Sequence, residues 1–164
     1  MENSLKKNIE SLKLYLDSRE WYHNVTYYGE DQVFTFDLEL DCKIGKIHYI
    51  IQIDDNFCQF MTTIPCKFND DKKCQVSEYI HRVNLDSPVS RFDMDYDANT
   101  VGCHYATTIV DVVPTDAFWE MSILLMEKFL EDYSDGLLDV MCGNGTAKEV
   151  FEIIFGELNK ETEF

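Results

Sequence analysis

Six cysteines and four histidines are the side chains of this 164-residue sequence that could act as nucleophiles, bases or metal ligands. They are Cys42, Cys58, Cys66, Cys74, Cys103 and Cys142, together with His23, His48, His81 and His104. No two cysteines have the C-x-x-C spacing of redox and zinc motifs, and the sequence H-E-x-x-H is absent. We therefore expect reduced, buried thiols rather than a disulfide framework.

The histidines and cysteines predict no metal centre, although one arrangement stays open. A zinc site could be assembled across neighbouring strands, for instance from Cys42, His48 and Cys58. Cys103 and His104 cannot form a thiolate–imidazole pair with each other, because adjacent residues of a strand point to opposite faces of the sheet.

Two segments begin like ligand-binding motifs but lack required residues. The stretch 93–99 starts like a calcium loop, yet Ala98 and His104 stand where the EF-hand has Gly and Glu, so we interpret it as an acidic β-turn. Gly143 and Gly145 precede a predicted helix without the third glycine of a dinucleotide motif or the Gly-Lys-Ser/Thr end of a phosphate loop. We interpret them as a turn between two helices.

Acidic residues on predicted solvent-facing strand positions do not indicate catalysis. A general acid would need a carboxyl group in an apolar pocket with a raised pKa, and the pattern shows only solvated alternation. The nucleophile sequence G-x-S-x-G is also absent. We therefore predict no catalytic residue, no cofactor and no enzyme activity.

Aromatic residues provide the candidate contact surface. Trp21 and Tyr22 lie close to Tyr27 and Tyr28, and we expect about half of these rings in the core and the others on a partner surface. The segment 79–84 offers a similar mixture. The predicted partner-binding residues are Trp21, Tyr22, Tyr79, Arg82 and Val83.

The charge of the chain excludes several classes of partner. Asp and Glu number 31 and Lys and Arg 14, which gives a net charge of −17. Such a surface repels nucleic acid and anionic lipid. No apolar run approaches the roughly 18 residues of a membrane helix, and the N-terminus lacks the features of a secretory signal. We therefore expect a cytoplasmic protein.

Hydrophobic periodicity predicts helices and strands in a clear order. An apolar stripe predicts a first helix over 4–17, and alternation predicts strands at Val25–Tyr28, Val33–Leu40, Lys46–Ile53 and Phe57–Ile64, with a turn at 29–31. A helix of about ten residues follows, with Val76, Tyr79, Ile80 and Val83 on its apolar face. A hairpin of Arg91–Asp95 and Val101–Ile109 comes next.

Two helices complete the chain. The first should be capped by Thr115, be ended or bent by Gly136, and stop at Gly143; its apolar arc is wide enough to be largely buried or to share a face with a partner. The capping box Thr146–Glu149 starts the last helix. Its inner face should carry Val150, Ile153, Ile154 and Leu158, and residues 157–164 should form a frayed acidic tail.

This order of elements predicts an α+β fold in a single domain, residues 1–164, with an ordered core of about 4–158. A meander and a hairpin form one antiparallel β-sheet, and the first and third helices pack against its apolar face.

Several features resemble the YbjN family of proposed bacterial sensory transduction regulators. They are Trp21 and Tyr22 after the first helix, the meander Phe34–Ile64, the stretch from Asn84 through Phe92 to Asp95, Leu125-x-Glu127, and Gly143. The resemblance covers residues 5 to 155. It implies a fold like that of the type III secretion chaperones, which are small, acidic, cytoplasmic α+β proteins that often form dimers, and it implies no catalytic residues.

Two functional hypotheses follow. The first is a non-enzymatic protein-binding or regulatory module that captures an apolar or basic peptide on a sheet edge or helical groove. By analogy with the chaperones, it would form a homodimer through its second helix. The alternative is a small enzyme or ligand sensor with Cys, His and Asp side chains gathered between the sheet and the long helix.

Overall fold

The computed structural model describes residues 2–28 and 31–161. The helices are α1 Glu2–Ser18, α2 Lys73–Asp86, α3 Asp116–Cys142 and α4 Ala147–Glu161, and the strands are β1 His23–Tyr28, β2 Asp31–Glu39, β3 Lys46–Ile53, β4 Phe57–Thr63, β5 Arg91–Asp95 and β6 Thr100–Thr108. The predicted α+β class and the predicted order of elements are confirmed. The predicted turn at 29–31 has Gly29 and Glu30 outside the described residues.

The six strands form one antiparallel sheet in the order β1-β2-β3-β4-β6-β5. Alternation along each strand separates an apolar face from a polar one. We call these the inner face and the outer face of the sheet. On β3, for example, Ile47, Tyr49, Ile51 and Ile53 are buried on the inner face, while Lys46 and His48 are exposed on the outer face.

Helices α1 and α3 cover the inner face, as predicted. Leu12 and Leu16 of α1 are fully buried there. Trp119 of α3 packs against Phe60 of β4 with ring centroids 6.3 Å apart, and the Tyr49 hydroxyl donates a hydrogen bond of 3.2 Å to the backbone carbonyl of Ile123. Thr115 caps α3 by accepting from the Phe118 amide, which confirms its predicted role. No helix of the described residues is long and apolar enough to cross a membrane.

Helix α2 closes one edge of the sheet. The side-chain amide of Asn84 makes two hydrogen bonds of 2.9 Å to Phe92 of the edge strand β5, donating to its carbonyl oxygen and accepting from its amide. Asn84 therefore occupies the place that a neighbouring strand would take at this residue. These bonds explain the spacing between Asn84 and Phe92 in the segment that carries the family resemblance.

Three local predictions about the last two helices were wrong. Gly136 does not end α3, because the helix continues to Cys142; a Cβ atom at this position would collide with the Tyr79 hydroxyl, so the glycine makes room for Tyr79. Ile153 is 61% exposed, and Phe151 packs against the core instead. Helix α4 extends to Glu161, so the part of the predicted tail over 157–161 is helical, and residues 162–164 lie outside the described residues.

Replacing Asn84 tests the closed edge. We expect Asn84→Ala to lower the free energy of unfolding by about 1–3 kcal/mol, because both backbone groups of Phe92 lose their partner. Asn84→Asp should also destabilise, since a carboxylate cannot donate to the Phe92 carbonyl. Urea denaturation gives the values, and Asn24→Ala, at an exposed asparagine, is the matched control. Equal stability of the Asn84 and Asn24 variants would contradict the role given to Asn84.

Asn8 of α1 is fully buried, and neither polar atom of its amide has a hydrogen-bond partner among the described residues. A buried amide without partners costs about 1–3 kcal/mol. We therefore expect Asn8→Leu, which is similar in size, to raise the free energy of unfolding by about that amount, and Asn8→Ala to raise it less. Thermal and urea denaturation measure both. A less stable leucine variant would show that the amide makes bonds in solution.

Candidate functional site

A groove of about 520 Å³ lies where α1 ends and β1 begins. Its lining residues are Glu20, Trp21, Tyr22, Asn24, Thr35, Phe36, Asp37, Lys46 and His48. Trp21 and Tyr22 are two of the five residues predicted to contact a partner. The groove is therefore the place in the described structure where the sequence prediction and a concave surface coincide.

The end of α1 shapes one wall of the groove. Glu20 has a positive φ of 58°, its amide donates to the Asp17 carbonyl at 3.0 Å, and the Trp21 amide donates to the Leu16 carbonyl at 3.2 Å. This pair of bonds is a Schellman motif, which ends a helix and reverses the chain direction. Glycine usually takes the left-handed position, so Glu20 gave no sequence signal for this turn.

Trp21 and Tyr22 have different environments, although they are neighbours. The Trp21 ring stacks on Phe36 at 5.5 Å, and Phe36 stacks on Tyr49 at 5.4 Å, so Trp21 extends an aromatic row of the core. Tyr22 is 84% exposed. Stacking of Trp21 on the core holds the chain between α1 and β1 in place, and the neighbouring Tyr22 is exposed to solvent as a large amphipathic side chain.

The groove lies beside a short unpaired edge of β2. Strand β1 pairs with β2 only as far as His23 and Phe36, whereas β2 continues to Glu39. Residues 37–39 pair with β3 on one side and with no described strand on the other. We call this segment the β2 notch. Its main-chain groups are available to an added strand.

A three-residue charge cluster forms the floor of the groove. Asp37 lies opposite His48 in the register, with 2.8 Å between Oδ1 and the histidine Nδ1, and Lys46 Nζ lies 2.9 Å from Asp37 Oδ2. Hydrogen bonds from His48 and then Lys46 lower the pKa of the Asp37 carboxyl group. Alternation alone placed Asp37 on the solvent side, and only the strand register shows its two partners.

This cluster lacks the properties of a catalytic centre. All three side chains are about half exposed, and the lowered pKa of Asp37 keeps it ionised rather than able to donate a proton. Burial, and then Glu131, raise the pKa of Glu127 on α3, but Glu127 has no hydrogen bond to a titratable side chain among the described residues. The groove can hold main chain, an aromatic contact and charges, which are the means of peptide binding.

The other three predicted partner residues do not reach the groove. Tyr79 and Val83 are fully buried in the core, so the prediction that they contact a partner was wrong. The Arg82 guanidinium group bonds to Glu78 on the surface of α2, with distances of 2.6 and 3.0 Å. Because α2 packs on β5, Arg82 is about five strand spacings from β1, roughly 24 Å.

The structure separates the cysteines and histidines that could have formed a zinc site. His48 is exposed on the outer face, whereas Cys58 is fully buried on the inner face. Burial raises the pKa of the Cys58 thiol to about 12 and also raises that of Cys103, so both thiols are neutral. No group of three or more metal-ligating side chains is present in the described part of the chain. Aromatic and aliphatic side chains fill the space between the sheet and α3.

The segment 93–99 makes the turn predicted for it. Asp95 Oδ1 accepts from the amides of Asp97 at 2.9 Å and Ala98 at 2.8 Å, and Asn99 takes a positive φ of 57°. The carboxylate is thus used to hold the hairpin between β5 and β6.

A second polar network lies on the outer face around His104. Its Nε2 is 2.9 Å from the Gln59 Oε1 acceptor, and its Nδ1 is 2.9 Å from the Arg91 Nη2 donor. This arrangement fits the neutral imidazole with its proton on Nε2. Burial and the Arg91 charge lower the pKa of His104, and Asp93 opposes them.

Comparison with known proteins supports the fold. No family model matches the sequence, and no curated protein matches it either. A solved structure with the same fold is the crystal structure of YbjN from E. coli, a proposed transcription regulator. It has a TM-score of 0.54 and 11% sequence identity, and the match covers 83% of this chain and 90% of YbjN. The fold of this chain is YbjN-like, and the predicted resemblance is confirmed at the level of the fold.

The His104 network predicts a pH dependence of stability. The pKa of His104 in the folded protein lies below its value of about 6.5 in the unfolded chain. As the pH falls from about 6.5 towards the folded pKa, the unfolded chain therefore binds more protons than the folded protein. The contribution of His104 to stability is therefore complete above about pH 6.5 and lost below it. Urea denaturation between pH 5 and pH 8 should show a smaller loss in His104→Gln than in the original protein.

The control for this experiment is His81→Gln, at an exposed histidine of α2. It should leave the pH profile unchanged. A His104→Gln profile that superimposes on that of the original protein would contradict the network.

Proposed function

We propose that this protein is a non-enzymatic binding module that captures an extended, basic segment of a partner protein. The β2 notch carries this proposal, since it offers main-chain groups that pair with no described strand, beside a groove lined by both Asp37 and Tyr22. A partner segment bound there would add a short strand to β2 in line with β1, which is a known mode of peptide recognition.

Charge supports a basic partner. The net charge of −17 attracts Lys- and Arg-rich segments and raises their rate of encounter. At the groove itself, Lys46 bonds to Asp37 rather than to Glu39 directly opposite, and Glu20 has no ion pair among the described residues. Glu20 and Glu39 can therefore meet cationic side chains at the two ends of the bound segment.

A regulatory role fits this binding mode. YbjN is described as a proposed transcription regulator, and the similarity between the two chains lies in the fold. A net charge of −17 opposes direct contact with DNA phosphates. We propose that any regulation by this protein acts through a protein partner.

A small-ligand sensor is the second candidate, because one observation favours it. Asp37 and His48 are hydrogen-bonded titratable groups in a groove. Their half exposure makes them suited to recognising a polar ligand rather than to acid–base catalysis. We propose the sensor only as the alternative to peptide binding.

Peptides of matched length and apolar pattern, differing only in charge, test the proposal. We expect the basic peptide to bind, the acidic peptide to fail, and affinity to fall with added salt. Tyr22→Ala should weaken binding of the basic peptide about tenfold, because it removes the exposed aromatic contact. Isothermal titration calorimetry gives the dissociation constants.

Tyr96→Ala is the control, because Tyr96 is also an exposed tyrosine but lies on the hairpin between β5 and β6, next to α2. It should leave binding unchanged. Equal binding of acidic and basic peptides, or equal effects of the two tyrosine variants, would contradict the proposal.

A further inference from the structure

The two edge strands of the sheet, β5 and β1, differ in whether their outward backbone groups have hydrogen-bond partners among the described residues. On β5, the Asn84 side chain takes both backbone groups of Phe92. On β1, by contrast, β2 is the only strand of the described residues that pairs with it, and no described residue outside β2 makes a backbone hydrogen bond with residues 23–28. The β5 edge is closed at Phe92, whereas the described residues leave the β1 edge open.

The open edge also lacks the charges that usually protect an edge strand. Residues 21–28 read WYHNVTYY and include no Lys, Arg, Asp, Glu or Pro. Soluble proteins normally place lysine, proline or a bulge on such a strand to prevent pairing with another chain. Strand β1, with six residues, no Lys, Arg, Asp or Glu, and unpaired backbone N–H and C=O groups along one side, is therefore suited to pair with a strand of another chain.

We propose that strand β1 is the interface through which two copies of this chain pair. The strands run antiparallel about a two-fold axis, so that each copy presents the same residues to the other and the two sheets become one. This inference is independent of the proposed peptide site, which uses β2 residues 37–39 beyond the end of β1.

Charge selects a second copy rather than a basic peptide at this edge. Two copies that each carry −17 repel one another, so contact is favoured where neither presents acid. Strand β1 meets that condition. It offers a cationic peptide no carboxylate along its length, in contrast with Glu20, Asp37 and Glu39 around the β2 notch.

The outer face next to β1 supports the same occupant. Thr26 lies opposite Val33 of β2, and Val33 lies opposite Gln52 of β3, so a band of uncharged residues continues from the edge into the sheet. The alternative interface, by analogy with the chaperones, is the surface of α2. There Glu78 and Arg82 already form an ion pair within one copy, and Leu85 is the exposed large apolar residue. A contact through α2 would bury that ion pair for one large apolar side chain from each copy, which makes it the weaker surface for pairing.

Sedimentation velocity from about 1 µM to about 1 mM protein measures the association. We expect a reversible dimer that strengthens with added salt, because salt screens the repulsion between acidic copies. Basic-peptide binding should weaken with salt, so the failure of one proposal is distinguishable from the failure of the other. A monomer throughout this range would overturn the inference.

Thr26→Glu is the first variant. Thr26 is exposed on the outer face, so the fold should tolerate the change, while two glutamates brought close across the axis should weaken the dimer about five- to tenfold. Thr108→Glu is the matched control, at an exposed threonine of the interior strand β6, and should leave the dimer unchanged. A dimer equally sensitive to both changes would overturn the assignment to β1.

Proline at two successive positions provides a second test. Successive amides of a strand point to opposite sides, so one of Asn24→Pro and Val25→Pro removes a bond to β2 and the other blocks only the free edge. We expect one of the two variants to be folded and monomeric. Two folded proline variants that both still form dimers, or a dimer dissociated by Leu85→Glu on α2, would overturn the inference.

Discussion

The structure depends on a sheet whose six strands can bury their apolar face on one side only. Alternation puts Phe34, Phe36, Tyr49, Ile51 and Phe60 on the inner face, and α1 and α3 cover it, so the outer face and the ends of the strands are left to solvent. The sheet therefore offers contacts to a partner on its outer face, at its edges, or where one strand is shorter than its neighbour. The β2 notch is such a place, because β1 begins only at His23, after the chain has left α1 through the turn at Glu20.

The same constraint explains why catalysis receives no support. Cys58 and Cys103 are held in the dry interior, whereas Asp37, which is half exposed, and His104, which is partly buried, are already bonded to neighbours. Cys74 and Cys142 are exposed, contrary to the expectation of buried thiols, and belong to no group of three metal-ligating side chains among the described residues. Burial raises the pKa of the Cys58 and Cys103 thiols and keeps them neutral. Hydrogen bonds from His48 and Lys46 lower the pKa of Asp37, and burial and the Arg91 charge lower the pKa of His104. Binding by main chain, aromatic contact and charge needs none of these reactive groups. A YbjN-like fold is compatible with that use.

Much of the fold could be predicted because its signals are local. Period-two alternation gave β2 and β3, and the caps at Thr115 and Thr146 gave the starts of α3 and α4, since each depends on residues within one element. The failures depend on contacts between distant parts of the chain. Residue 136 is a glycine within a helix because the Tyr79 hydroxyl occupies the space of a Cβ atom there. Tyr79 and Val83 are buried because α2 turns that face towards α3 and β5. The pairing of Asp37 with His48 and Lys46 needs the register, and the turn at Glu20 lacks the usual glycine, so the groove had no complete sequence signature.

The central claim is that the unpaired edge of β2 receives an added strand. Amide hydrogen exchange with and without a saturating basic peptide tests it most directly, because a new strand must protect the backbone amides that it bonds. The account predicts slower exchange in the segment 37–39, with little change in α3 and α4. Slower exchange confined to the helices, or no change anywhere when the peptide is bound, would contradict it.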